Sequence, residues 1–157
     1  MTHRIVARVG LGYLSGFALL LGGWAGLAPR SFYDNFPGLG MAWVSVDGPY
    51  NEHLLRDIGS LNLALAVVLI AAFVTLTKEM VIVAAGASLA WNIPHFLYHA
   101  FNTEGLDTTD IVLNLGGLAF SSLYPMVLLS LAPKLEPATE PSELDRPRST
   151  RTRRDAS

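Results

Sequence analysis

The chain has no cysteine anywhere in its 157 residues. Disulfides, thiolate metal sites and thiol nucleophiles are therefore excluded, although the redox compartment stays open. Charge is scarce as well, at 15% Asp, Glu, Lys and Arg, and it nearly vanishes from four long stretches. A glycine-rich phosphate loop, a serine nucleophile elbow and the zinc-protease motif are all missing. What is present is hydrophobic content of 51%, gathered into continuous blocks rather than alternating segments. The blocks fall at about residues 9–28, 58–76, 80–101 and 111–132. Each approaches the roughly 20 apolar residues that a membrane-spanning helix needs. The expectation is an all-α integral membrane protein. A four-helix bundle would occupy residues 1–132, and a disordered basic cytoplasmic tail residues 133–157.

The first block is rich in glycine, and Gly12/Gly16 and Gly22/Gly26 are small-xxx-small pairs that admit a neighbouring helix closely. Arg4 and Arg8 ahead of an apolar core also fit a cleavable signal peptide, but a cut near Ala28 would be followed by Pro29. The third block opens with Ala84, Ala85, Gly86, Ala87 and Ala90, a second small-residue surface. Such Gly/Ala faces offer packing within the bundle or in a homo- or hetero-oligomer.

Residues 29–54 form an aromatic loop with Phe32, Tyr33, Phe36, Trp43 and Tyr50, and with turn signals at Pro37-Gly38 and Asp47-Gly48-Pro49. Residues 29–36 read as a short interfacial helix, proline near its start and aromatics facing lipid. The plainer reading of the loop is an aromatic belt at headgroup level, and the sharper one is a lid. Thr108 or Thr109 is placed to cap the fourth spanning helix, with Asp110 in its first turn.

Beyond Pro133 the prolines at 137, 141 and 147 and a run of arginines end the apolar pattern. A basic tail of this kind binds anionic lipid or nucleic acid, or simply marks topology, and topology is the plainer reading. The bilayer, not nucleic acid, is the expected partner. With four spans, Arg4, Arg8, Lys78, Lys134 and the tail arginines share one side, against Arg30 and Arg56 on the other. The positive-inside rule then puts both termini in the cytoplasm, for a multi-pass protein of the plasma membrane.

Polar residues inside the blocks are costly and mark function or helix pairing. They centre on residues 91–99, WNIPHFLYH, where His95 and His99 lie one helical turn apart and Asn92 shares their face. His53 and Asp57 enter the second block, and Asp110 and Asn114 the fourth, at a similar outer depth. The candidate ligand-binding set is thus His53, Asp57, Asn92, His95, His99, Asp110 and Asn114. It would contact the polar head of a quinone, sterol-like lipid or isoprenoid, with Trp43, Trp91, Phe96 and Tyr98 as walls. A membrane enzyme, redox-active or isomerising a lipid, would use the same histidines for proton transfer or metal binding. His95 and His99 make a candidate metal pair, completed by His53 or an aspartate, whereas bis-histidine haem would need opposed helices, such as His53 with His99. In the alternative the polar groups satisfy one another, Asn62, Asn92 and Asn114 tying helices together in a structural accessory subunit. Composition and spacing name no cofactor.

Residues 29–38 and the segment Gly48-Pro49-Tyr50-Asn51-Glu52-His53-Leu54-x-Arg56-Asp57-x-Gly59-x-x-Asn62 resemble small actinobacterial four-helix membrane proteins, themselves distantly similar to the DoxX-like group. The resemblance covers residues 5–132 in layout, with agreement of individual residues around 48–62 and 95–99. It implies a compact four-helix bundle among proteins mostly of unassigned function. Some DoxX-like members are associated with quinone-linked sulfur or redox chemistry, which no cysteine here carries over.

Overall fold

The computed structural model describes residues 2–135, so most of the expected basic tail lies outside the described residues. Helix α1 covers Thr2–Leu27 and a short α2 covers Pro29–Asn35. A two-stranded hairpin follows, β1 (Pro37–Gly38) antiparallel to β2 (Met41–Ala42) with Pro37 opposite Ala42. The remaining helices are α3 (Glu52–Thr75), α4 (Lys78–Phe101) and α5 (Thr108–Leu131), and α5 runs into a 3-10 turn at Ala132–Lys134. Four of these helices, α1, α3, α4 and α5, are long and apolar enough to cross a membrane. The chain is all-α in class and built as a multi-pass membrane protein.

Each spanning helix starts earlier than its apolar block, because the ends of a spanning helix reach water and accept charge. Arg4 and Arg8 belong to α1, and His53 and Asp57 to the first turns of α3. The Asn51 side chain caps α3 by accepting from the Leu54 N–H at 3.1 Å, with Glu52 in the first turn. This meets the demand for unpaired N–H groups and for negative charge at a helix start. The cap of α5 is Asp107, which accepts from the Asp110 N–H at 2.8 Å, and not Thr108 or Thr109 as expected. A carboxylate accepts as well as a hydroxyl does and adds charge against the dipole. Between α3 and α4 the chain turns within two residues, Leu76 in the left-handed region and Thr77 as the next cap.

The four long helices close a ring, α1 against α3, α3 against α4, α4 against α5 and α5 back against α1. Helices α1 and α3 come closest where glycines meet. A Cβ on Gly59 would strike the backbone of Gly26, and one on Gly22 would lie 2.8 Å from Leu63 Cγ. The other expected pair is not used this way, since Gly16 faces open space and Gly12 meets the Phe73 ring at 3.4 Å. Near the chain termini the core is aliphatic, with Leu11, Leu14, Leu69, Val81 and Leu128. At the opposite end, the loop end, it is aromatic: Phe32 packs on Ala25 and Leu55 among Trp24, Tyr33, Phe36 and Tyr50. Val9, Leu20, Val67 and Val112 point outward, each more than half exposed, and supply the lipid-facing surface.

Helix α2 forms where expected but turns its aromatic side inward. Phe32 is buried, its ring 4.8 Å from Phe36 and edge-on to Trp24 at 5.7 Å. The opposite side carries Arg30 and Asp34, paired at 2.7 Å. Burying the rings against the bundle gains more than leaving them in the headgroup layer.

Candidate functional site

The polar residues of the third spanning helix are arranged by helix geometry. Successive four-residue steps turn about 40° around the axis. Trp91, His95 and His99 therefore form a slanting ladder up α4 toward the loop end. His95 stacks on Trp91 with ring centroids 5.3 Å apart and planes 18° from parallel. His99 stands edge-on to His95 at 4.8 Å and to Tyr98 at 5.3 Å. The foot of the ladder faces α3 and its top reaches the seam with α5.

At its foot lies a largely apolar cavity of about 370 Å³ between α3 and α4, lined by Leu61, Asn62, Leu65, Val68, Ala87 and Trp91, among others. The two-residue turn at 76–77 sets the register, so Trp91 and Asn62 stand level at the end of the cavity nearer the loops. Small side chains at Ala64, Ala87 and Ala90 keep the helices from filling this space. Its volume falls within the usual range for small-molecule pockets, roughly 300–1,000 Å³. Asn62 is buried, yet its Nδ2 donates to the Ile58 carbonyl of its own helix at 2.9 Å, so it does not tie two helices together.

The α4–α5 seam is fixed by Asn92, whose Nδ2 donates to the Ser121 carbonyl at 2.9 Å. Seven residues on along α4 is His99, and seven back along antiparallel α5 is Asn114. The two are therefore level. Both are more than nine-tenths buried, and His99 Nδ1 and Asn114 Oδ1 have no hydrogen-bond partner among the described residues. An unpaired buried polar atom costs about 1–3 kcal/mol, so each is a place where something else is expected to bind.

Above this pair the aromatic loop crosses the bundle end. Trp43 Nε1 donates to Asp110 Oδ1 at 2.9 Å, which joins the loop to α5. The Tyr33 hydroxyl donates to the Gly48 carbonyl at 2.6 Å, and Val46 lies against Gly105 in the loop between α4 and α5. Between these anchors Asp47 stands near enough to His99 for their charges to interact. Asp47 is exposed by surface area, yet crowding by the surrounding loop pushes its carboxyl above the ordinary carboxylate range, while His99 pulls it back. The loop is thus held over this end of the bundle by Asp110 of α5 and by the α4–α5 connection at Gly105.

Of the seven expected site residues, five lie on the paired helices α4 and α5: Asn92, His95, His99, Asp110 and Asn114, of which His95 and His99 touch each other, Asn92 bonds to Ser121 and Asp110 to Trp43. His53 and Asp57 go elsewhere. They pair with each other at 3.3 Å on an exposed face of α3, with side chains 89% and 63% exposed. The i, i+4 spacing satisfied them locally and left them turned out of the bundle. Around His95 and His99, no group of three or more His, Cys, Asp or Glu side chains forms among the described residues. The two imidazoles thus lack the further ligand a tetrahedral site needs. Asp47 was legible in the sequence merely as part of a turn, and its proximity to His99 depends on the loop folding back over the helices.

No family model, curated protein or solved structure matches this chain. Its function is read from the site alone.

Proposed function

We propose that this is a small multi-pass protein of the plasma membrane, both termini cytoplasmic, that binds a lipophilic ligand with a polar head, quinone or lipid-like. The tail would occupy the α3–α4 cavity and the head the α4–α5 seam beneath the loop, with the Trp91–His95–His99 ladder between them. One observation carries this reading: His99 Nδ1 and Asn114 Oδ1 are buried, level and without a hydrogen-bond partner among the described residues. Structural polar groups in a membrane bundle pair with each other, as Asn92 does, because the bilayer offers no water. The bundle and its small size also accord with the DoxX-like resemblance, which is proposed at the level of fold.

Lipid extraction and mass spectrometry of protein purified in mild detergent test the proposal. A lipophile retained in near-stoichiometric amount by the wild type and depleted in His99→Leu is the expected result. Equal recovery from both proteins, or recovery of bulk phospholipid alone, would sink it.

A second reading has its own support. The loop carboxyl of Asp47 lies within electrostatic range of the His99 imidazole without a hydrogen bond between them, and a ligand head entering between the two would meet a carboxylate and an imidazole able to exchange its proton. On this reading the bound molecule is turned over, and Asp47→Asn retains binding while losing conversion.

A further inference from the structure

The proposed pocket also specifies its ligand's head. Resting on the pocket reading above, we infer that the head is an uncharged hydroxyl group that accepts from His99 and donates to Asn114.

The cations at the loop end among the described residues, histidines aside, are Arg30 and Arg56. Arg30 pairs with Asp34 at 2.7 Å and lies over the Tyr33 and Tyr50 rings. Arg56 pairs with Glu52 at 2.8 Å and donates to the Gly26 carbonyl at 2.6 Å. Both are engaged on the α1–α2–α3 side of the bundle. The carboxylates bordering the α4–α5 seam are Asp110, one helical turn from Asn114, and Asp47 in the loop, within electrostatic range of His99. A phosphate or carboxylate head would enter a site with no lysine or arginine to receive it and two carboxylates to repel it. Buried anions require paired cations, and an anionic head is excluded on that ground.

Donor and acceptor matching narrows the head further. The Asn114 amide is oriented with Oδ1 buried, and in that orientation the atom is an acceptor that needs a donor from the ligand. Nδ1 of a neutral imidazole takes either role according to tautomer. A carbonyl head, which only accepts, would satisfy His99 in its Nδ1–H form and leave Asn114 orphaned. An ether would do the same. A hydroxyl both donates and accepts and satisfies the two atoms at once. Quinols, sterol-type alcohols and isoprenoid alcohols belong to this class, and quinones belong to it only after reduction.

Three probes sharing one tail separate these heads: farnesol, farnesal and farnesyl phosphate, titrated calorimetrically into the full chain in phosphatidylcholine nanodiscs. Farnesol is expected to bind about tenfold more tightly than farnesal, the loss of one buried hydrogen bond, with farnesyl phosphate no tighter than farnesal. Asn114→Leu, similar in volume, should bring farnesol and farnesal to equal affinity while tail binding persists. Farnesyl phosphate binding as tightly as farnesol, or farnesal matching farnesol on the wild type, overturns the hydroxyl assignment and leaves the pocket standing. Binding of none of the three overturns the pocket itself and the assignment with it. The wild-type comparison varies the ligand alone, so a poorly folding variant does not obscure the result.

Discussion

Asp47 shows how a single side chain links the loop to the bundle. Crowding by the surrounding loop disfavours its charged form and raises its pKa above the unfolded value, and His99 opposes the shift. A carboxyl whose folded pKa is raised holds its proton longer in the folded state. Its contribution to stability is therefore lost as pH climbs from the unfolded pKa through the folded one. Asp47→Asn should flatten that loss: its thermal midpoint in detergent should change less than the wild type's between about pH 4 and pH 7. An identical pH profile for both proteins would show that Asp47 is fully hydrated. Trp43 makes a complementary case. Trp43→Phe keeps the ring and removes the N–H that donates to Asp110, at an expected cost of about 1–2 kcal/mol for a hydrogen bond to a charged group. Faster amide exchange across residues 41–48, with the helices unchanged, would be its signature.

Helix pairing depends on where the small residues stand, not on how many there are. A methyl at Gly59 meets the Gly26 backbone, which a helix cannot move aside without shifting bodily. Gly59→Ala is expected to destabilise the α1–α3 pair by about 1–3 kcal/mol, the usual range for overpacking. Gly23 has open space around its would-be Cβ, so Gly23→Ala should be neutral or gain up to about 1 kcal/mol from helix propensity. Thermal unfolding of the two variants side by side measures the contrast. The sequence carried part of this. Four long apolar runs fixed four helices because the bilayer demands that length. The Gly22/Gly26 pair announced a close contact, but its partner Gly59 could not be distinguished from other glycines until the register of α1 against α3 was known. Likewise, spacing put His95 and His99 on one side of α4. Whether His53 joined them depended on the rotation of α3, and a local pair with Asp57 settled that outward. Asn92 and Asn114 looked alike in sequence. One found the Ser121 carbonyl and the other was left without a partner among the described residues, a difference of placement in the seam.

At the scale of the whole molecule, four spanning helices put Thr2 and Leu135 at one end and both the aromatic loop and the 102–107 connection at the other. Arg4, Arg8, Lys78 and Lys134 lie at the terminal end, where no ion pair engages them among the described residues, while Arg30 and Arg56 at the loop end are each bound to a carboxylate. The rule counts Lys and Arg rather than net charge, and with four of them at the terminal end against two at the loop end, the loop end should be the exported one. The absence of native cysteine makes this directly measurable. In intact cells, a membrane-impermeant maleimide should label Glu104→Cys at once and Lys78→Cys only after lysis, both positions being exposed. The reverse pattern would invert the protein, and a ligand would then enter beneath the loop from the cytoplasmic leaflet. Labelling of both before lysis would mean that α4 does not cross the membrane. In that case the buried His99–Asn114 level could not be a site within the bilayer at all.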